Sequence, residues 1–160
     1  MHDSVMQFVQ EQVTRHRLGD KHVLDVGSLD VNGSVRAMFT NGYVGVDMRE
    51  GKNVDHVLNA HGLSAFFDLA SFDAVVCCEM LEHDDAFWVS MREMNRVLKP
   101  GGRLILTTRG LGFPLHEYPD DLWRFTVSAG RKLAEIAGLK EVSVTEDPQA
   151  SGIFITGVKA

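Results

Sequence analysis

The stretch that decides the fold is His22-Val23-Leu24-Asp25-Val26-Gly27-Ser28-Leu29-Asp30-Val31-Asn32-Gly33-Ser34. A short run of β-branched residues and leucine ends in a glycine turn, the pattern of a buried parallel strand that leads into a helix. Gly27 lets the backbone turn tightly and come close to a ligand. A helix beginning near Asn32-Gly33-Ser34 and running to about Phe39 would turn free N–H groups toward an anion.

Working outward, the remaining chain alternates between the two periods. Residues 3–17 place Val5, Met6, Val9 and Val13 at helical spacing. Second and third strands are expected at Tyr43 to Val46, closed by Asp47, and at Val54 to Leu58. A strongly apolar fourth runs from Phe72 to Cys78. A helix from Asp85 to Leu98 is stopped by Lys99-Pro100-Gly101-Gly102, and a fifth strand spans Arg103 to Thr108. Ser128 to Ala137 reads as a helix ended by Gly138. Lys140 to Thr145 and Ile153 to Val158 flank a polar turn containing Pro148, so they are expected to pair as a hairpin. Strands that alternate with helices predict an α/β doubly wound sheet with helices on both faces. The ligand-bearing positions of such a sheet lie just past the strand C-termini.

Composition narrows the class. A chain of 160 residues matches one domain and can bury roughly 70% of its unfolded surface, so neither disulfides nor a structural metal is needed. The net charge of -6, with basic residues scattered, speaks against a nucleic-acid binder. Cys77 and Cys78 are adjacent in an apolar strand and should face opposite sides of the sheet as reduced, buried thiols. The first seventeen residues carry Asp3, Glu11 and Arg15 and no apolar core segment, and no stretch has the length of a membrane span. A cytoplasmic protein is expected.

Asp47 ends the second strand 20 residues after Gly27, where a carboxylate can accept hydrogen bonds from both hydroxyls of a ribose. A phosphate-binding loop would need a lysine where Ser34 follows Gly33. A dinucleotide turn would need glycine at Leu29, because a pyrophosphate lies against the backbone there. Both patterns fail, which leaves a nucleoside ligand without a close diphosphate and disfavours a nucleotide-dependent oxidoreductase.

On these residues the chain resembles a class I S-adenosylmethionine-dependent methyltransferase, of the small methyltransferase-11-like kind. The turn Asp25-Val26-Gly27-Ser28-Leu29-Asp30-Val31 stands at the family's first motif, with Leu29 and Val31 where the family has glycines. Asp47 stands at the ribose-binding acid, and Asn59-Ala60-His61 at the adenine-contacting segment. Phe72 to His83 matches the fourth strand and its turn, and Leu98-Lys99-Pro100-Gly101-Gly102 the motif before strand five. The resemblance implies a Rossmann-like seven-stranded sheet, mostly parallel with an antiparallel seventh strand between the fifth and sixth. It also implies S-adenosylmethionine as cofactor, held by Asp25, Gly27, Ser28, Asp47, Met48, Asn59, Ala60, His61 and Glu79.

A sulfonium carries an already activated methyl group, so the reaction needs no metal. The protein has to hold the acceptor atom in line at about 3–3.5 Å from the methyl carbon. Where the acceptor has a proton to lose, a base helps. His83 and His116 are the candidate catalytic residues. A metal held by Glu82, His83 and Asp84 is not expected, since adjacent residues converge on one ion only where a turn folds them together.

The long segment after strand five, residues 109–126, lacks a clear period and reads as a lid over the acceptor. Tyr118, Trp123 and Arg124 are its candidate substrate-binding residues. Its His-x-Tyr-Pro-x-Asp-x-Trp-Arg-Phe pattern resembles small methyltransferases of sugar and glycan pathways. A small-molecule or glycan-type acceptor is therefore expected, with a second copy or a partner chain completing the acceptor site. The alternative reading, motivated by the missing glycines, is a non-catalytic module that binds S-adenosylmethionine or S-adenosylhomocysteine and works through a partner.

Overall fold

The computed structural model describes residues 2–160, and among them seven strands form one sheet. The chain begins with helix α1 (Asp3–His16) and strand β1 (Val23–Val26), continues through β2 (Tyr43–Asp47) and β3 (His56–Val57), and reaches a short helix α2 (Leu63–Phe66). Strand β4 (Phe72–Cys78), helix α3 (Phe87–Val97), strand β5 (Leu98–Arg109), helix α4 (Val127–Ile136) and the strands β6 (Leu139–Glu146) and β7 (Gly152–Lys159) follow. The spatial order is β3-β2-β1-β4-β5-β7-β6. Strands β3 to β5 pair in parallel, and β7 runs antiparallel to both β5 and β6, as the resemblance implied.

The central strands are apolar on both sides because both faces of the sheet are covered. On one face Leu24, Val26, Val75, Cys77, Leu104 and Leu106 pack with Met91, Met94 and Val97 of α3 and Leu133 and Ala134 of α4. On the other, Val23, Ala74, Val76, Cys78 and Ile105 pack with Val5, Val9 and Val13 of α1. Cys77 and Cys78 thus fall on opposite faces, both buried as free thiols.

The Leu98-Lys99-Pro100-Gly101-Gly102 motif has a local physical reason. The β4–β5 register jumps from the pair Phe72–Leu98 to the pair Ala74–Arg103, so the intervening residues bulge out of the ladder. Gly101 takes φ +77°, and a Cβ on Gly102 would sit 2.8 Å from the Lys99 carbonyl oxygen. Lys99 in turn pairs with Asp73 at 2.7 Å across the bulge.

Three local expectations are corrected. The helix expected over residues 34–39 is a single 3-10 turn, Arg36–Met38. Val35 and Phe39 are drawn into the α1-side core, and Arg36 pairs with Asp55, so the segment is committed to packing before a second helical turn forms. The third strand, expected over residues 54–58, pairs only at His56 and Val57, an exposed edge two residues long. Between it and β4 stand a 3-10 turn (Ala60–Gly62) and α2, neither of which the hydrophobic pattern announced. No helix among the described residues is long and apolar enough to cross a membrane.

Gly45 lies at the centre of β2, where the loops after β1 and β2 press on the strand. A Cβ there would collide with the backbone carbonyl of Asn53 and approach Ser28 Oγ to 2.7 Å. Backbone cannot rotate aside as a side chain can, so Gly45→Ala is expected to destabilise the protein by about 2–3 kcal/mol through overpacking. A lowered urea midpoint at unchanged slope would register it.

Candidate active site

The C-terminal ends of β1, β2, β4 and β5 open onto one cavity of about 430 Å3, within the range that holds a cofactor-sized ligand. At its floor is the turn after β1. Gly27 adopts φ +83°, and a Cβ there would come within 3.0 Å of Met80, so this position requires glycine both for its conformation and for its close contact. Beyond it, Leu29 occupies a place where the family has glycine. Its side chain lies over Gly51, the one point of the neighbouring loop without a Cβ to meet it. Asp30 then closes the loop: its carboxylate accepts from Gly33 N at 2.8 Å and pairs with Lys52. Gly33, at φ +131°, provides the displaced turn.

Asp47 stands at the end of β2. One of its oxygens accepts from Leu29 N (3.2 Å) and the other from Arg49 N (3.1 Å). A carboxylate offers about four lone-pair sites, so two remain for a ligand's hydroxyls. Met48, Asn59, Ala60 and His61 form the adjoining wall. The Asn59 amide oxygen caps the following turn through His61 N (2.8 Å), and its amide nitrogen faces Met48 Sδ (3.5 Å).

Glu79, just past β4, has φ +56°, a left-handed conformation for a residue with a side chain. Such a conformation costs on the order of 1 kcal/mol or more and persists where surrounding contacts dictate it. Here Glu79 N donates to the Thr107 carbonyl and Oε1 accepts from Thr107 Oγ1 (2.8 Å). Its other oxygen pairs with Arg109, which is 1% exposed and also faces Asp147. Arg109 lines the cavity and its guanidinium lies 4.5 Å from the centre of the Phe113 ring. The signal for Arg109 in the sequence is slight: a cation three residues past the apolar run Leu104 to Leu106.

The opposite wall carries His83 and His116, whose rings meet edge to face at 4.8 Å. His83 Nδ1 lies 2.5 Å from the Asp120 carbonyl oxygen. His116 donates its backbone N–H to Asp121 (2.8 Å) and holds Nδ1 3.3 Å from the same carboxylate. The facing Glu82 carboxylate, and then Asp121, hold His116 above the ordinary imidazole range. Over the top, the Tyr118 ring lies 3.9 Å beneath the Arg49 guanidinium, which joins the segment after β5 to the segment after β2.

Of the residues singled out from sequence, Gly27, Asp47, Met48, Asn59, Ala60, His61, Glu79, His83, His116 and Tyr118 line this cavity; Asp25, Ser28, Trp123 and Arg124 do not. Trp123 donates Nε1–H to the Asp84 carbonyl (2.8 Å) and packs on Phe87. Arg124 grips Asp121 with two nitrogens and donates to the carbonyls of Phe113 and Pro114. These two residues hold the lid in shape, while Phe113 and His116 to Pro119 line the cavity. Asp84 accepts from Ala86 N and Ser90 Oγ beside the start of α3, and also meets His61.

The profile of the methyltransferase-domain family matches residues 21–106 of the chain. Among curated proteins, the ubiquinone biosynthesis O-methyltransferase of Xanthomonas oryzae pv. oryzae is 55% identical over 38 residues. That match spans 24% of this chain and 16% of the relative's length. Among solved structures, 1,6-didemethyltoxoflavin-N1-methyltransferase of Burkholderia thailandensis, with 1,6-didemethyltoxoflavin and S-adenosylhomocysteine bound, superposes with a TM-score of 0.75. It is 17% identical, and the match covers 98% of this chain and 78% of that one. A [4+2]-cyclase is similar at a TM-score of 0.72 and 17% identity, over 94% of this chain and 80% of its own. At such identities these structures share the fold, which hosts more than one chemistry.

Asp25 points to the α1 side of the sheet, 4% exposed, and accepts a 2.5 Å hydrogen bond from Tyr43 Oη. Burial raises its pKa to about 7, against the pull of the Tyr43 hydroxyl. The native state therefore keeps a proton that the unfolded chain releases near pH 4. Stability should fall as pH rises from about 4 to about 7, by at most about 1.4 kcal/mol per unit, and level off above. Asp25→Asn removes this slope. Between pH 4.5 and pH 8 the stability difference should shift in the variant's favour by on the order of 3 kcal/mol, read from urea unfolding at the two pH values.

Proposed function

We propose that this chain, which belongs to the methyltransferase-domain family of S-adenosylmethionine-dependent enzymes, transfers the methyl group of that cofactor to a small-molecule or glycan-precursor acceptor. The observation that carries the reading is that one cavity joins two unlike halves. One half has the glycine turn and the strand-end carboxylate suited to a nucleoside. The other has two imidazoles under an aromatic lid.

When bound, the cofactor supplies a methyl group activated by a sulfonium. The residues on the β1–β2 side suit holding it. Gly27 leaves the backbone open to close approach, and Asp47 retains lone pairs for the two ribose hydroxyls. Met48, Asn59, Ala60 and His61 would flank the base, and Glu79, fixed by Thr107 and Arg109, would face the methionine ammonium. Asp25 and Ser28 would act from beneath, by shaping the turn. Leu29 and Val31 fit a ligand with no diphosphate, since the loop routes their side chains where a pyrophosphate would need bare backbone.

On the acceptor side, His83 and His116 would stand beside the attacking atom, with Tyr118 closing over it. A cavity partly covered by the lid favours an acceptor small enough to fit beneath it. The ubiquinone and toxoflavin enzymes among the similar proteins support a small molecule. The pattern of the lid segment supports a sugar or glycan precursor.

The test has two parts. In calorimetry, S-adenosylhomocysteine should bind the wild-type chain, and Asp47→Ala should weaken it by at least about tenfold, or roughly 1.4 kcal/mol. Incubation with methyl-labelled cofactor and fractionated small-molecule and glycan-precursor pools should then label an acceptor. Absent binding at millimolar ligand would sink the cofactor assignment. Intact binding with no label in any pool would favour the non-catalytic module.

A further inference from the structure

Beside the acceptor half of the cavity, two neighbouring side chains on the 3-10 turn after β4 and one from the lid segment bring single atoms close together. Glu82 Oε1 lies 3.8 Å from His83 Nε2 and 3.7 Å from His116 Nε2, and the three atoms all fall within 4.8 Å of one another. These separations are too long for hydrogen bonds. Glu82 is 0% exposed, and its Oε1 has no hydrogen-bond partner among the described residues. A carboxylate oxygen taken fully out of water, with two imidazoles facing it at ion-pair distance but no hydrogen bond, is costly and calls for an explanation.

From this geometry we infer that Glu82 Oε1, His83 Nε2 and His116 Nε2 bind a divalent d-block cation of the Zn2+ class. Two such ligands on a tetrahedral ion stand roughly 3.4 Å apart, so Glu82 has to approach each histidine by about 0.4 Å and the two histidines each other by at most about 1.4 Å. Two imidazoles and one carboxylate select d-block ions over Mg2+ and Ca2+, which prefer all-oxygen shells.

Two of the three are hydrogen-bonded on their far side, as metal ligands are, and the third is held by charge. Glu82 Oε2 accepts from Thr108 Oγ1 at 2.8 Å. His83 Nδ1 meets the Asp120 carbonyl, and His116 Nδ1 faces the Asp121 carboxylate at 3.3 Å without a hydrogen bond, Asp121 itself being gripped by Arg124. The braces leave the Nε2 of each ring for the ion. The neighbouring group of His61, Asp84 and Asp85 shows the contrast: both oxygens of Asp84 already serve His61, Ala86 N and Ser90 Oγ.

Glu82 is buried, whereas His83 and His116 line the cavity, so the free coordination position faces the acceptor half. An acceptor with an oxygen or nitrogen donor can occupy it. The imidazoles then serve as ligands that position the acceptor. This last step rests on the proposed methyl-transfer reading; the binding of the ion does not.

Chelator-stripped full-length chain is titrated with Zn2+ in a calorimeter and with Co2+ followed by its visible absorption. The expected result is one saturable equivalent, with a four- or five-coordinate Co2+ spectrum. His83→Ala and His116→Ala, checked for folding by circular dichroism, should each weaken uptake by at least about 100-fold, and Asp121→Asn by about 10–100-fold through the lost brace. Glu82→Gln should do the same as the histidine variants, which decide the matter if it does not fold. No saturable uptake by folded wild-type chain overturns the inference, as does uptake that His83→Ala and His116→Ala leave unchanged. S-adenosylhomocysteine is titrated separately. Ion uptake without cofactor binding defeats only the reading of the preceding section, and cofactor binding without ion uptake defeats only this one.

Discussion

Between β1 and β4 the sheet reverses the direction in which strands are added. From β1 the chain steps outward through β2 to β3, then returns to lay β4 on β1's other side and β5 beyond it. The connections on the two sides of this point diverge, so the strand ends cannot be bridged by one loop and a crevice stays open. Everything chemical in the molecule stands on that crevice. Gly27 and Asp47 come from one side of it, and Glu79, Glu82, His83 and Arg109 from the other. The packing that enforces it is apolar and two-sided, with α1 on one face and α3 and α4 on the other.

The turn after β1 shows how the departures from the family pattern are absorbed. Leu29 would obstruct a turn that crossed bare glycine. Here it is laid over Gly51, and the turn is completed by Asp30 and Gly33. The Asp47 carboxylate that would serve a ribose also anchors Leu29 N. Loop shape and ligand site thus share one group, and a change at Asp47 acts on both.

Opposite this turn, buried polar groups tie the lid to the sheet. Arg109 and Glu79 pair at the ends of β5 and β4, and Thr108 holds Glu82. The Glu82 carbonyl receives the N–H groups of Leu122 and Trp123, which fastens the base of the lid to the turn after β4. Arg124 then ties Asp121 to the carbonyls of residues 113 and 114. The lid is thus fastened at its base and stacked on Arg49 at its tip, so it covers part of the acceptor space.

Much of this was readable from residues alone. The runs Val23 to Val26, Tyr43 to Asp47, Phe72 to Cys78 and Leu104 to Thr108 announced the parallel strands, because a strand buried on both faces must be apolar throughout. Gly27 and Asp47 were readable as site residues because backbone freedom and strand-end position are local properties. The helix expected after Ser34 failed because tertiary contacts of Val35, Phe39 and Arg36 outweighed local propensity. Asp25 was assigned to the ligand side, but the alternation of side chains along β1 and the Tyr43 hydroxyl turn it to the α1 face. Only the tertiary structure could set His116 beside Glu82 and His83, or Trp123 and Arg124 away from the cavity. These placements depend on how a loop with no period of its own folds back on the sheet. The sequence by itself determined the layers and the crevice, since burial demands follow from composition and period. The folded chain decided which polar side chains meet there, since those meetings arise between residues too far apart in the chain for any local pattern to record.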